Sequence, residues 1–352
     1  MPDIMTDIAE AQRSFLPTGD TEWLKLRTEE ILEPDLQIID PHHHFWSPPR
    51  SVYGGHELAA DLLSGHNFVG TVFADCTEHY YKDGPEDYRV VGETEFSVRL
   101  GEESDQGVYG PARFCQAVFG RVDLANGASS KGVLEAHIAV GKGRFKGIRF
   151  GTAWDPHPEV RTTARMPTQG LLLEPQVLEG VACLEPLGLV LDLWLYHHQL
   201  SDAVELAHRF PNLSIVLDHA GGPLRMGPYA DRLDEVYAEW RKGIAEVVKC
   251  PNVSVKLGGL GMKIGGFHFE DRPLPPSSED LADAWRPFIE PCIELFGPDR
   301  AMFESNYPVD SLSCSYPILW NAYKRIAEGY SASDKKALFA GTAQRVYSVD
   351  LG

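Results

Sequence analysis

The side chains able to do chemistry gather at the ends of short apolar runs. The first run closes in Asp40-Pro41-His42-His43-His44-Phe45-Trp46. Side chains alternate across an extended strand, so His42 and His44 share one face and His43 takes the other. Two imidazoles one pleat apart at a strand end can hold one divalent ion, with zinc the first candidate and manganese the second. Another histidine, His219, closes Ile215-Val216-Leu217-Asp218-His219, and Gly221-Gly222-Pro223 behind it lets the backbone turn sharply. His42, His44 and His219 are therefore the candidate metal ligands. In Leu191-Asp192-Leu193-Trp194-Leu195-Tyr196-His197-His198 the leucines take one parity, leaving Asp192, Trp194, Tyr196 and His198 on the other. That makes His198 a candidate catalytic group. Taken singly, each histidine is more often a hydrogen-bonded structural group than a ligand; convergence of the first, fifth and sixth strand ends is what argues for a site.

Acids and cations occupy comparable positions. Glu304 and Asn306 share a parity in Ala301-Met302-Phe303-Glu304-Ser305-Asn306-Tyr307-Pro308-Val309-Asp310, and Asp310 lies just beyond in the loop. A carboxylate here can activate water as a general base, or can instead pair internally with an arginine such as Arg149. Arg149 ends Lys146-Gly147-Ile148-Arg149, and Lys256 lies near the end of Val253-Ser254-Val255-Lys256-Leu257. Both are candidates for holding a substrate carboxylate or stabilising an oxyanion, and both fit equally well into an ion-pair network inside the fold. Asp75-Cys76-Thr77-Glu78-His79-Tyr80 adds polar groups to the same rim. Tyr307, with Trp154, Phe267, His268 and Phe269, suggests a partly aromatic pocket in which Tyr307 contacts substrate.

These positions need a scaffold that brings strand ends together. Eight short apolar runs recur: Leu36–Ile39, Val69–Ala74, Phe114–Phe119, Phe145–Phe150, Leu189–Leu195, Leu213–Leu217, Val253–Leu257 and Ala301–Phe303. Several are near-continuous in hydrophobicity, as parallel strands covered on both faces are. Between them, helical spacing appears over Pro85–Leu100, Lys131–Gly141, Pro175–Leu187, Leu200–Phe210, Ala230–Lys249 and Glu279–Phe296. Eight strands, most followed by a helix, predict an α/β fold of the (β/α)8 TIM-barrel type over residues 35–352. Residues 1–34 form an N-terminal extension that plugs the barrel bottom or packs on a neighbour. The long connections 151–169 and 258–278 follow strand ends, on the face where barrel catalysis sits.

Composition sets the boundaries. Of 352 residues, 51 are acidic and 32 basic, for a formal charge of −19. That balance argues against nucleic acid or anionic lipid as a partner, since both demand clustered basic side chains. No Gly-x-Gly-x-x-Gly turn follows the first strand, which lowers the dinucleotide reading. The six cysteines, Cys76, Cys115, Cys183, Cys250, Cys292 and Cys314, show no metal-binding spacing and read as reduced, mostly buried thiols. Acidic residues 3, 7 and 10 stand where a secretory signal would be basic, and no apolar segment is long enough to span a membrane. The expected location is cytoplasmic, and barrels of this size often pair with a copy of themselves.

The Asp40-Pro41-His42-His43-His44-Phe45-Trp46 start, Lys146-Gly147-Ile148-Arg149, Leu217-Asp218-His219-Ala220-Gly221-Gly222-Pro223 and Phe303-Glu304-Ser305-Asn306-Tyr307-Pro308 together resemble the amidohydrolase superfamily. Within it the chain is similar to the amidohydrolase-related branch that includes sugar lactonases and 2-pyrone-4,6-dicarboxylate hydrolase. The resemblance runs from about Ile38 to about Val346. It implies a barrel whose site is made by His42, His44, His198, His219 and the position of Asn306, where relatives carry Asp within Gly-Ser-Asp-Trp-Pro. An Asn side chain has no ionisable acid form, so the base falls to Glu304 or Asp310, or the reaction departs from the usual water-activation scheme. The neutral oxygen of Asn306 is also a poorer metal ligand than Asp, and some lactonases of this branch are thought to work without a metal.

The leading expectation is a hydrolase that opens a lactone or related ester or amide bond in a small, carboxylated molecule. Zinc or manganese on His42, His44 and His219 would assist, with Arg149, Lys256 and Tyr307 holding substrate and Glu304, Asn306, Asp310 and His198 around the reacting atoms. Metal-dependent, non-oxidative decarboxylation of an aromatic or unsaturated acid is the alternative chemistry. A barrel that binds a small ligand without turnover is the alternative class, made credible by Asn306.

Overall fold

The computed structural model describes residues 17–47, 51–162 and 166–351. The acidic stretch 1–12 and positions 163–165 of the long fourth connection lie outside the described residues. Eight strands, β1 (Gln37–His43), β2 (Asn67–Ala74), β3 (Ala117–Gly120), β4 (Phe145–Gly151), β5 (Val190–Trp194), β6 (Ile215–Leu217), β7 (Val253–Leu257) and β8 (Ala301–Phe303), pair in sequence order. Every neighbouring pair from β1 to β8 is parallel. The first and last strands then meet just past their ends: Asn306 N donates to His42 O at 2.9 Å and His44 N donates to Tyr307 O at 2.7 Å. The fold is a (β/α)8 barrel, and each apolar run expected to be a strand supplies one.

Helices cover the strands. They are α1 (Thr21–Leu24), α2 (Gly55–Leu62), α3 (Val91–Asp105), α4 (Ser130–Gly141), α5 (Pro175–Val181), α6 (Leu200–Arg209), α7 (Leu233–Val247), α8 (Ser278–Phe296), α9 (Tyr316–Ile326), α10 (Ala332–Lys336) and α11 (Thr342–Val346). α6 shows the common logic: Leu200, Ala203, Leu206 and Ala207 form its buried stripe. α8 starts at a capping box in which Ser277 and Asp280 satisfy each other's backbone N–H groups. The expected helix 175–187 is divided, because Pro186 opens a separate short turn over Glu185–Leu187. α9 carries no expectation from periodicity, and the reason is burial on nearly every side. Tyr316, Leu319, Trp320, Asn321, Tyr323, Lys324 and Ile326 are all covered, which leaves no polar stripe to mark a period.

The barrel interior is layered. Ile39, Val72, Phe119, Val190, Val216 and Met302 form an apolar floor closed from below by Ala340, Ala343, Tyr347 and Val349 of the C-terminal segment. Moving two residues toward the C-terminal ends of β5, β6 and β8 replaces Val190, Val216 and Met302 with Asp192, Asp218 and Glu304. An apolar floor therefore gives way to a charged layer beneath the mouth.

The described part of the N-terminal extension, residues 17–34, does not plug the bottom. It runs as a strap along one flank: Trp23 Nε1 donates to Arg272 O at 2.9 Å, Arg27 Nε to Pro275 O at 3.1 Å, and Leu32 N to Asn321 Oδ1 at 2.9 Å. Lys324 Nζ donates to the carbonyls of Leu32 and Glu33 at 2.7 and 2.9 Å. The plug is Tyr347, whose ring lies 4.9 Å from that of Phe119 and whose hydroxyl donates to Asp192 at 3.2 Å. Tyr347→Ala should cost about 3–5 kcal/mol of stability by opening the barrel floor, read as a lowered urea midpoint with the transition slope unchanged.

Candidate active site

The charged layer is built from groups that pack poorly unless they neutralise one another. Lys256 is fully buried, and its ammonium contacts Asp192, lies 3.2 Å from Asp218 Oδ1 and 3.0 Å from His42 Nδ1. Burial alone would depress the lysine's pKa, but Asp192 and Asp218 outweigh it, and the ammonium is held charged. The same exchange keeps Asp218 low against its own burial, through Lys256 and then Arg149. Arg149 Nε donates to Asp218 Oδ2 at 3.0 Å and its Nη2 lies 3.2 Å from His219 Nε2.

Above this layer stand the histidines. His219 Nδ1 is 2.7 Å from Glu304 Oε1, which also accepts the His219 backbone N–H at 3.1 Å. Glu304 Oε2 lies 3.1 Å from His42 Nδ1. The His42 ring centroid is 4.8 Å from those of both His44 and His219. His42 is kept neutral by burial first and by Lys256 second, and His44, pushed down to about 3 by burial and then Arg149, is neutral as well. Neutral imidazole is the form that ligates a metal.

Backbone geometry pins these groups. His219, Ala220 and Asn306 all have positive φ, a costly conformation for residues with a Cβ. Gly259 follows β7 at φ +66°, and a Cβ there would stand 2.4 Å from His219 Nδ1. Glycine is therefore required both by conformation and by the closeness of the histidine. Asp40 fastens β1 to β8: Oδ2 accepts from the Ser305 hydroxyl at 2.6 Å and from Tyr316 at 2.9 Å.

The histidine and arginine heads reach an open pocket at the C-terminal mouth, lined among others by His44, Trp46, Asp75, Arg121, Arg149 and Trp194. His219 and Asn306 also line it. Of the expected site residues, His42, His44, His219, Glu304, Asn306 and Arg149 come together. Lys256 does not line the cavity; it lies beneath the histidines, so its expected contact with substrate gives way to the internal ion pair. Tyr307 is not a cavity residue either. Its hydroxyl is spent on Cys314 O at 2.6 Å and its ring packs against Tyr53 and Tyr316.

His198 is displaced for a local reason. β5 ends at Trp194, and His197–Gln199 form a tight turn, so strand alternation no longer applies at His198. Its Nε2 lies 3.0 Å from Trp154 O, on the fourth connection. Asp310 stands one step behind the cavity: Asn306 Nδ2 donates to Asp310 Oδ1 at 2.7 Å, and Gly261 N to Oδ2 at 2.9 Å. Burial raises the Asp310 carboxyl well above its usual range despite both bonds. Asn306 Oδ1 in turn lies 3.3 Å from His44 Nε2. The aromatic lining is Trp46 and Trp194, whereas Phe267 and Phe269 stack on each other and Phe269 packs toward Trp285.

Asp218 and Arg121 were not among the expected site residues, and Asp75 was expected only as one of several polar groups on the rim. Asp218 is adjacent to His219 in the turn motif, a readable signal; Arg121, just past the end of β3, carries none. Among the described residues, His42, Asp218 and His219 offer ligand atoms within 4.8 Å of one another and are all buried. Among the described residues, His42 Nε2 is buried with no hydrogen-bond partner, whereas Asp218 Oδ1 faces the Lys256 ammonium and Glu304 Oε2 faces His42 Nδ1. A donor set of two imidazoles and a carboxylate, with one unspent buried nitrogen, fits a divalent ion.

Buried histidines and carboxylates at the C-terminal mouth of a parallel barrel stand where barrel enzymes carry out their chemistry. The comparisons place the chain more closely. The family model described as Amidohydrolase matches residues 39–349, and the chain belongs to that family. It is 31% identical over 344 residues to the uncharacterised protein y4mH of Sinorhizobium fredii, covering 90% of this chain and 99% of that one. An L-fucono-1,5-lactonase of Burkholderia multivorans is 34% identical over 175 residues, 48% of this chain and about half, 55%, of the lactonase. A crystal structure of a Burkholderia multivorans amidohydrolase with bound zinc superposes with a TM-score of 0.66 at 24% identity, over 89% of this chain and all of that one.

Two outcomes follow from the geometry. Lys256→Met strands Asp192 and Asp218 without their cation and should cost about 3–5 kcal/mol at pH 7. The stranded carboxyls then have raised pKa values, so the deficit shrinks as pH falls toward 4 and the acids protonate, which denaturation at a series of pH values measures. Asn306→Asp replaces a donor to Asp310 with an acceptor and should cost about 1–3 kcal/mol. Exchanging both, Asn306→Asp with Asp310→Asn, restores a donor–acceptor pair and most of the loss, as a double-mutant cycle would show.

Proposed function

We propose that this chain hydrolyses a lactone. The observation that carries the reading is the hydrogen-bonded pair of His219 and Glu304 at a cavity that also presents Arg149 and His44. With Nδ1–H given to Glu304, His219 turns its unprotonated Nε2 to the cavity, and Glu304 stabilises the proton that the ring takes from water. Arg149 Nη2, beside that nitrogen, is placed to bind the carbonyl oxygen as charge develops on it. Because His219 serves here as the base, His42 and Asp218 are the residues left to hold a divalent ion; when bound, such an ion supplies Lewis-acid polarisation. The zinc in the related barrel and the partial lactonase relative support both parts of the reading.

Substrate polarity follows from the charges at the cavity. Arg149 already faces Asp218, and Arg121 lies 3.8 Å from Asp75. With each guanidinium matched by a carboxylate, the wall alternates donors and acceptors, which suits a neutral, hydroxylated lactone derived from a sugar better than a dicarboxylate. Wild-type protein should therefore acidify a weakly buffered solution of sugar lactone without releasing CO2. Glu304→Gln should lower kcat by about 10²–10⁴-fold, and His42→Ala and His44→Ala should also lose turnover; activity unchanged in all three variants would remove the assignment.

A further inference from the structure

The mechanism above leaves one pair of buried acids unused. Asp75 follows β2 and lines the cavity, and its neighbour Glu93 lies in the first turn of α3. Both are buried, at 3% and 1% exposure. The chain over them is tightly constrained: Thr77 and His79 have positive φ, and the backbone N–H groups of Cys76 and Glu78 converge on Glu93 Oε1 at 3.2 and 2.8 Å. Glu93 Oε2 is buried without any donor. The Cys76 thiol also lies 3.3 Å from Oε1, and the Glu93 side chain faces the Asp75 carboxyl, to which it hydrogen-bonds.

Two carboxyl groups can hydrogen-bond only through a proton that one of them carries. Other charged and titratable groups facing Asp75 fix where it resides. Tyr80 OH donates to Asp75 Oδ1 at 3.0 Å, Arg121 lies 3.8 Å from Oδ2, and Arg149 adds a more distant positive charge. Burial by itself would favour a neutral Asp75; these three, together with Glu93, outweigh it and keep Asp75 charged. On Glu93, burial and then the negative charge of Asp75 favour the neutral acid.

Position gives the pair a use. In a closed barrel with strand order one to eight, the end of β2 lies across the mouth from the end of β6. Asp75 thus faces His219 from the opposite wall of the same cavity. Ring opening needs a proton on each side of the scissile bond: one leaves the attacking water, and one reaches the departing ring oxygen.

We propose that Asp75 and Glu93 share one proton and that Asp75 delivers it to the leaving ring oxygen, with Glu93 as its resident store. The proposal rests on the lactone reading. In balance, water oxygen bonds to the carbonyl carbon and gives its proton to His219. The bond from that carbon to the ring oxygen breaks, its electron pair stays on oxygen, and the proton from Asp75 makes the hydroxyl. Solvent then reprotonates the pair, and His219 returns its proton to solvent. Asp75 is the catalytic residue of the pair and Glu93 a positioning and proton-storing one.

Glu93→Gln tests this cleanly. Its amide oxygen keeps the Cys76 and Glu78 contacts and its NH₂ donates to Asp75, so only the transferable proton is lost. Two lactones are compared, δ-valerolactone, which leaves as an alkoxide, and dihydrocoumarin, whose phenol, of pKa about 10, leaves without an acid. Glu93→Gln should lower kcat on the aliphatic lactone by about 10²–10³-fold and on the aryl lactone by less than about tenfold. Asp75→Asn should follow the same split. Infrared difference spectra of wild type against Glu93→Gln at neutral pH should contain a protonated-carboxyl band. Equal losses on both lactones, or no such band, overturn the proposal while the hydrolase reading stands. Wild type inert toward both these lactones and sugar lactones overturns the hydrolase reading, and the acid role falls with it.

Discussion

The Lys256 ammonium beneath the histidines is the contact on which the rest of the site depends. A buried lysine is costly unless its charge is matched, and an unmatched Asp192 and Asp218 would be equally costly. Placed together, they let a barrel interior carry charge two residues above an apolar floor. The ammonium also touches His42 Nδ1 and so helps hold that ring neutral. Lys256 thereby acts through His42, favouring its neutral form from below.

That arrangement explains why the strand parity matters. On β5, β6 and β8 the same inward parity yields an apolar residue first and an acid two residues later. A slip of one residue would turn those acids into the helix layer, where no cation waits for them. The apolar floor, sealed by Tyr347, keeps water from reaching the ion pairs from below. Tyr347 also donates to Asp192, so the C-terminal segment contributes to the charge layer as well as to packing. Stability and site electrostatics are thus fastened to the same few side chains.

Much of this was legible in the sequence, and the limits have physical causes. The strands were readable because barrel strands buried on both faces are short apolar runs. The first-strand histidines, His219, Glu304 and Arg149 were readable because alternation fixes which side chains face inward while the chain stays extended. The same rule failed at His198, two residues into a turn, and at Tyr307, whose aromatic ring is drawn into a cluster with Tyr53 and Tyr316. Lys256 has the right parity but lies too deep; sequence gives the face of a strand and not the height of the cavity floor. α9 was hidden because a helix buried all round has no polar period. Arg121 and the pair of Asp75 and Glu93 are assembled by tertiary contact between β2, β3 and α3, which no local pattern records.

Asn306 shows how a departure from a family pattern is absorbed. Read alone, an amide in place of a carboxylate suggests lost chemistry. In the fold, Asn306 donates to Asp310, and Asp310 is itself buried and bonded to Gly261. A carboxylate at position 306 would face another carboxyl at hydrogen-bond distance and could bond it only by sharing a proton, whereas the amide donates without one. The negative charge of the layer is carried instead by Glu304, two residues earlier and against both His42 and His219. Moving the acid down the strand places it behind the imidazoles instead of beside the substrate. On the proposed lactone reading, proton movement at this wall passes through a histidine, and the proton donor proposed for the leaving oxygen comes from another strand end.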